Sequence, residues 1–242
     1  MGKIAAFFDI DGTLYRDSLM VEHFKKLIKY DIIDQKAWFE HARDTFMDWD
    51  KRQGHYDDYL DEICDLYVKS LIGLDKTCID FTSDQVIKLK SDRVYKYTRS
   101  RIKWHLDNNH IVIVISGSPG FLVEKMAKKY NVTDCIGSNY LFENEMFNGT
   151  VIPMWDSRSK NTAIDSFVEK YDIDLNKSYA YGDTNGDINM LRRVGNPIAI
   201  NPTKELLSHI ASDPVISKTS QIIVERKDII YSLSPNVDIL DI

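Results

Sequence analysis

The sequence IAAFFDIDGT, residues 4–13, decides the fold class of this chain. Its first half is a continuous apolar run, and two carboxylates, Asp9 and Asp11, follow it at once. A short, unbroken apolar run that ends in a polar turn predicts a strand covered on both faces. Gly12 permits a sharp turn of the backbone. Because open α/β sheets bind ligands at the carboxyl ends of their strands, we expect both carboxylates to serve chemistry there.

Two later stretches repeat this pattern. Residues 111–115 are apolar and run into Ser-Gly-Ser-Pro-Gly, and residues 179–181 run into the polar sequence GDTNGD, residues 182–187. A further strand is expected near residues 197–200, and amphipathic helical segments lie between the strands. This alternation predicts an α/β fold, with a Rossmann-like, mostly parallel sheet that carries helices on both faces.

The turn after residue 115 favours an anion. Pro119 suits the first residue of a helix, and Ser118 suits its N-cap. The unpaired amide groups at the start of such a helix would then point to the same sheet edge as Asp9.

The polar turn after residue 181 has the donor chemistry of a metal site. Asp183 and Asp187 are four residues apart where a strand meets a helix. Carboxylate oxygens suit Mg²⁺, which binds through one or two carboxylates together with water and phosphate oxygens. A calcium-binding EF-hand loop is excluded, because its twelfth position would be Val194 rather than Glu.

A basic residue near a helix start is the fourth candidate. Lys160 precedes a helical apolar pattern that extends to Tyr171. A lysine in the first helical turn opposes the helix dipole, which makes sense beside an anion. Arg158 is the alternative cation, and the sequence leaves the choice open.

Taken in order, these four stretches resemble the motifs of the haloacid dehalogenase superfamily, whose members are mostly phosphohydrolases. A candidate hairpin between residues 140 and 151 resembles a feature of the phosphoserine-phosphatase-like branch of the superfamily, subfamily IB. In that branch a helical cap is inserted after the first motif. The resemblance therefore implies a catalytic core of residues 1–16 and 93–242, and an inserted helical cap of residues 17–92. Gly186 departs from the family pattern, which often has Asn at this position.

The resemblance also implies a mechanism on a small phosphorylated metabolite. Asp9 would form an aspartyl phosphate, and Asp11 would act as general acid and base. The implied metal ion is Mg²⁺, held at Asp9, Asp11, Asp183 and Asp187. Phosphate oxygens would be held by Lys160 and by four residues of the first two motifs: Gly12, Thr13, Ser116 and Gly117. Asp11 favours a phosphatase over a dehalogenase, which has no alkoxide to protonate.

The substrate and the acceptor stay open. Phosphoserine phosphatases proper hold the amino acid with a Glu and an Arg of the cap, but the matching positions here are Ser18 and about Asp61. A gap could bring Glu22 or Arg43 into place instead. Transfer of phosphate to an acceptor other than water would use the same motifs.

An acidic cap segment also contains Phe46, Trp49 and Tyr59. Aromatic rings and carboxylates together could enclose an ammonium group, so phosphocholine and phosphoethanolamine are alternative substrates.

A different class, a nucleic-acid-binding module, rests on the basic and aromatic residues 93–104. The net charge of −6 opposes broad binding to phosphate backbones. The same segment fits an amphipathic helix packed on the sheet.

Composition adds expectations about compartment. Cys64, Cys78 and Cys135 have neither metal-binding nor paired spacing and read as reduced thiols. There is no convincing signal peptide or membrane-spanning run. We therefore expect a cytoplasmic protein that does not use a membrane, while the sequence leaves its oligomeric state open.

Overall fold

The computed structural model describes residues 2–36, 38, 43–51, 53 and 56–239. These residues form two compact units. The sheet unit contains described residues within 2–18, 91–138 and 153–239. The helical unit contains those within 19–90 together with 139–152.

The sheet unit is built on a mostly parallel sheet. Its strands, in chain order, are β1 (Ala5–Phe8), β2 (Ile111–Pro119), β3 (Asp134–Glu143), β5 (Tyr179–Gly182), β6 (Asn196–Ile200), β7 (Gln221–Arg226) and β8 (Ile229–Leu233). They pair in the order β3-β2-β1-β5-β6-β7-β8, and only the β7–β8 pair among them is antiparallel. The remaining strand, β4 (Met146–Ile152), belongs to the helical unit.

The centre of this sheet is a topological switch point. β1 pairs in parallel with β2 on one side and with β5 on the other. In doubly wound sheets the crevice for a ligand opens at the carboxyl ends of such strands. Asp9, Ser116 and Asp183 all lie at this edge.

Helices cover both faces of the sheet. On one face, α7 (Ser157–Tyr171), α8 (Ile188–Arg192) and α9 (Lys204–Ser212) pack on Phe7, Ile113 and other buried side chains of the central strands. On the other face, α5 (Lys96–Asp107) places His105 against Phe8 and Tyr181. The rings of Phe8 and Tyr181 stack on each other with their centroids 4.1 Å apart. α6 (Gly120–Lys129) follows β2.

The helical unit is described by itself. It contains α1 (Leu19–Lys29), α2 (Arg43–Asp50), α3 (Tyr56–Leu71), α4 (Lys76–Lys90) and the hairpin formed by the second half of β3 with β4 (Met146–Ile152). The hairpin exists as expected, but it groups with these helices rather than with the sheet unit, to which the sequence assigned it.

The predicted fold class is confirmed, with differences in detail. β2 continues past residue 115 to Pro119 through an irregularity in its pairing with β3. The basic and aromatic segment after residue 93 forms α5, whose buried residues Thr98, Ile102 and His105 face the sheet. Neither β7 nor β8 was predicted. In the described part of the chain, every helix is too short or too polar to cross a bilayer.

Candidate active site

The turn after β1 brings Asp9 to the switch point. The Asp9 N–H donates to the Tyr181 carbonyl oxygen at 3.0 Å, which ties the end of β1 to β5. The Ile10 carbonyl oxygen then accepts hydrogen bonds from three successive backbone N–H groups of the turn. Gly12 has φ of +79°, and a Cβ atom there would lie 1.9 Å from Oδ2 of Asp183. This position therefore tolerates only glycine without a shift of that carboxylate.

The turn after β5 is folded around the carboxylate of Asp187, which is fully buried. Its Oδ2 accepts hydrogen bonds from the backbone N–H groups of Asp183 and Thr184, at 3.1 and 3.3 Å. The Thr184 side chain completes a capping box with Asp187. The Asp183 carboxylate faces the first turn, where the Thr13 hydroxyl donates to its Oδ1 at 2.8 Å.

Lys160 lies in the first turn of α7 and ends between two carboxylates. Asp156 caps this helix by accepting hydrogen bonds from two backbone N–H groups of the first turn. The Lys160 ammonium donates to Oδ1 of Asp9 at 2.7 Å and to Oδ1 of Asp187 at 2.5 Å. Only 3% of Lys160 is exposed, whereas Arg158 is an exposed residue. The geometry thus places Lys160 in the site.

The electrostatics of this cluster are dominated by burial. Burial raises the pKa of Asp9; the Lys160 charge partly offsets this effect, and the Asp187 and Asp11 charges reinforce it. Burial likewise raises the pKa of Asp183, and the charges of Asp187 and Asp9 add to the shift. For Lys160, burial alone would lower the pKa, but the Asp187 and Asp9 carboxylates raise it instead. Lys160 is therefore a permanent cation beside an excess of buried negative charge.

The buried carboxylates that carry this excess negative charge form a candidate site for a divalent cation. Asp9, Asp183 and Asp187 offer carboxylate oxygens that all lie within 4.8 Å of one another. Hard oxygen donors in a small cluster fit Mg²⁺, and a divalent cation would relieve the repulsion between the acids. The residues present therefore fit the metal ion that the sequence implied.

In the loop after residue 115, Ser118 has a different hydrogen-bond partner from the one that the sequence predicted. The Ser116 hydroxyl, 1% exposed, accepts a hydrogen bond from the Ser118 N–H at 3.2 Å. Ser118 was expected to cap α6, but its hydroxyl donates to Oδ2 of Asp11 at 2.5 Å instead. α6 begins at Gly120 with Pro119 as its N-cap residue and without a side-chain cap bond. The cap prediction was therefore wrong, and Ser118 is a residue of the site that the sequence did not identify as one.

Asp11 stands apart from the three clustered carboxylates. Its side chain is turned to Ser118, which orients it, while Asp9 faces Lys160. Two acids two residues apart thus have different partners, as a nucleophile and a proton donor would need.

Comparison with known proteins defines the class of this fold and site. A model of the haloacid dehalogenase-like hydrolase family matches residues 6–192. The chain is 26% identical over 212 residues to phosphoserine phosphatase SerB1 of Mycobacterium tuberculosis, covering 84% of this chain and 67% of that protein. A protein of unknown function from Bordetella pertussis Tohama I has a similar structure, with a TM-score of 0.73, 16% identity and coverage of 92% and 98% of the two chains.

A substrate-bound phosphoserine phosphatase is a further structural neighbour. Its TM-score is 0.59 at 17% identity, with coverage of 94% of this chain and 95% of that one, so the likeness shows the fold. The chain belongs to the haloacid dehalogenase-like hydrolase family. Within that family it is an enzyme of the phosphatase type, and it is similar to phosphoserine phosphatases in sequence and in fold.

Proposed function

We propose that the chain is a Mg²⁺-dependent phosphomonoester hydrolase that acts through an aspartyl phosphate on a small phosphorylated metabolite. The observation that carries the proposal is the buried Lys160 ammonium, which contacts Asp9 and Asp187 beside the carboxylate of Asp183. A phosphoryl group needs these parts at one place: a nucleophile, a cation and a metal site.

In the first step, an oxygen of Asp9 attacks phosphorus and the bond from phosphorus to the leaving oxygen breaks. Asp11 gives its proton to that leaving oxygen, so the product is an alcohol rather than an alkoxide. Ser118 supports this role, because its hydrogen bond fixes the direction of the Asp11 carboxyl group.

In the second step, water attacks phosphorus and the bond to Asp9 breaks. Asp11, now ionised, takes the proton of the water, and inorganic phosphate leaves. The same carboxyl group thus serves both halves of the reaction, which requires it to change protonation state between them.

Four groups are proposed to hold the phosphate besides Lys160. They are the residues that the family motifs suggest: Gly12, Thr13, Ser116 and Gly117. Asp9, the Asp11 carbonyl and Asp183 would hold Mg²⁺, which when bound neutralises charge between the nucleophile and the phosphoryl group. Both oxygens of Asp187 already accept hydrogen bonds, so we assign it to hold Lys160 and the Asp183 turn in place.

The cap that selects the substrate is proposed to be residues 17–92, of which residues 19–90 belong to the helical unit. Relatives named phosphoserine phosphatase make O-phosphoserine the first substrate to test. One observation disfavours phosphoserine. Glu22, which the sequence offered as a ligand for the substrate ammonium group, is already paired with Lys25 at 3.6 Å and Lys90 at 3.2 Å. Arg43 is an exposed residue at the start of α2.

The aromatic residues of this unit give little support to phosphocholine. Trp49 and Tyr59 stack on each other with centroids 5.7 Å apart and planes 10° apart, and Phe46 packs on both. Rings that pack on one another present fewer faces to an ammonium group.

The proposal is tested by Mg²⁺-dependent release of phosphate from a panel of phosphomonoesters, with Asp9→Asn beside the wild type. The panel contains O-phosphoserine, phosphocholine, phosphoethanolamine, sugar phosphates and nucleotides. We expect release by the wild type that EDTA and Asp9→Asn both abolish. The matched control is Asp107→Asn, an exposed acid of α5, which should keep full activity.

Two results would change the proposal. Near-normal turnover by folded Asp9→Asn would contradict the covalent mechanism. Transfer of phosphate to an added alcohol at the expense of inorganic phosphate would make the chain a phosphotransferase instead.

A further inference from the structure

The segment before α7 is fastened to the proposed phosphate-binding loop. Ser138, which is fully buried, donates a hydrogen bond to the Gly117 carbonyl oxygen at 2.7 Å. The same hydroxyl accepts a hydrogen bond from the Met154 N–H at 3.1 Å. The backbone at Trp155, the next residue, is therefore held beside the Ser116-Gly117 turn.

Two glycines leave the space that Trp155 occupies. A Cβ atom at Gly117 would lie 2.8 Å from the Trp155 Cβ, and one at Gly186 would lie 2.8 Å from the Trp155 carbonyl oxygen. Both distances are shorter than a real Cβ contact, so a side chain at either position would displace this segment.

The hydrogen bonds that hold this segment are made by Ser138 and the backbone, not by the indole. Trp155 is 52% exposed, and its ring has no aromatic or cation contact with any residue that the structure describes. By contrast, Trp104, at 37% exposure, stacks under the Arg101 guanidinium at 4.0 Å. A large apolar ring that is fixed at its base and left open to solvent beside an active site is suited to contact a ligand.

We propose that Trp155 is a specificity-determining residue that contacts the leaving group of the substrate. The substrate class this implies is phosphomonoesters whose leaving group presents an apolar or aromatic face. The inference rests on the proposed phosphatase function, because it takes the phosphate to be bound between Gly117 and Lys160.

A matched pair of esters tests it. Ethyl phosphate and 2-phenylethyl phosphate both release a primary alkoxide, and they differ in the aromatic ring. We expect the wild type to prefer the phenylethyl ester in kcat/KM. Trp155→Ala should reduce that preference about 3- to 10-fold, the range measured for aromatic pairs, and Trp155→Phe should restore most of it. Trp104→Ala is the control with an unchanged preference.

Binding gives a readout that does not depend on turnover. The dissociation constant of 2-phenylethylphosphonate, measured by calorimetry with Mg²⁺ present, should rise by the same factor in Trp155→Ala, while that of ethylphosphonate stays constant. Equal losses for both esters and both phosphonates would show that Trp155 only supports the loop, and would overturn the inference. Failure of the wild type to hydrolyse any ester would instead contradict the proposed function, and the phosphonate affinities would still decide the role of Trp155.

Discussion

At the scale of single residues, the site depends on a position that carries no side chain. Gly12 has a left-handed backbone, and the Asp183 carboxylate occupies the space where its side chain would be. The first motif and the fourth therefore interlock at this point. Thr13, the next residue, strengthens the contact by its hydrogen bond to the same carboxylate.

This interlock predicts that Gly12→Ala reduces activity through Asp183. The new methyl group must push away Oδ2 of Asp183, which we propose binds Mg²⁺. We expect a large fall in kcat/KM together with a rise in the Mg²⁺ concentration for half-maximal activity. Both quantities follow from phosphate release measured across a Mg²⁺ titration.

Gly73→Ala is the matched control for this prediction. Gly73 has nearly the same backbone, φ of +77°, but nothing lies within 4 Å of the added Cβ atom. Both variants carry the strain of a left-handed alanine, about 1–2 kcal/mol of stability. If Gly73→Ala lost activity as strongly as Gly12→Ala, strain rather than displacement of Asp183 would be the cause.

At the scale of elements, α7 decides which cation reaches the site. Residues two apart on an α-helix point about 200° apart, so Arg158 and Lys160 cannot face the same ligand. The Asp156 cap sets where the helix begins and hence which of the two faces inward. Lys160 is buried between carboxylates, and Arg158 is exposed.

We therefore expect Lys160→Met to lower kcat/KM about 10²- to 10³-fold, as loss of one charged donor from a reaction centre does. Arg158→Met should stay within about 3-fold of the wild type, less than 1 kcal/mol. Because Lys160→Met leaves two buried acids without their cation, its melting temperature is measured as well, and Lys160→Arg keeps the charge if Met prevents folding. A strong loss in Arg158→Met alone would reverse the assignment.

The elements also explain what the sequence could reveal. Asp9, Ser116 and Asp183 were predicted as site residues because each follows a continuous apolar run. Central strands need such runs because both of their faces are buried. β8 escaped prediction because it is an edge strand whose Ile229, Ile230 and Tyr231 are exposed, so burial imposed no pattern on it.

Other features depend on contacts that sequence spacing does not carry. Ser118 reaches Asp11 across 107 positions of the chain, so local rules favoured the nearer use as a helix cap. Trp155 carries no motif, and only the close approach of Gly117 and Gly186 shows its place.

At the scale of the whole molecule, each unit contains a histidine that folding keeps neutral. In the helical unit, the two ring nitrogens of His23 lie 2.7 Å from the hydroxyl groups of Tyr67 and Thr82, and burial lowers the pKa of His23 to about 3. In the sheet unit, His105 lies 2.9 Å from the Tyr181 hydroxyl, and burial, with the nearby Arg101 charge, lowers its pKa to about 3.

These shifts make stability depend on pH. An unfolded histidine binds a proton below about pH 6.5, whereas the folded one stays neutral down to about pH 3. The stability that each contributes is therefore fully present above pH 6.5 and is lost as the pH falls toward 3. Between pH 7 and pH 5 the loss is about 2 kcal/mol for each histidine. Asp9 and Asp183 act in the opposite direction, because their raised pKa values make the folded state bind protons first.

Comparing a variant with the wild type separates these opposing effects, since the contribution of the acids is common to both. We expect His23→Gln to be less stable than the wild type at pH 7, because Gln cannot replace both ring nitrogens. Between pH 7 and pH 5, however, the variant should lose about 2 kcal/mol less than the wild type in urea unfolding. His105→Gln should behave likewise. An unchanged pH difference in both buried variants would mean that neither histidine is held neutral by the fold.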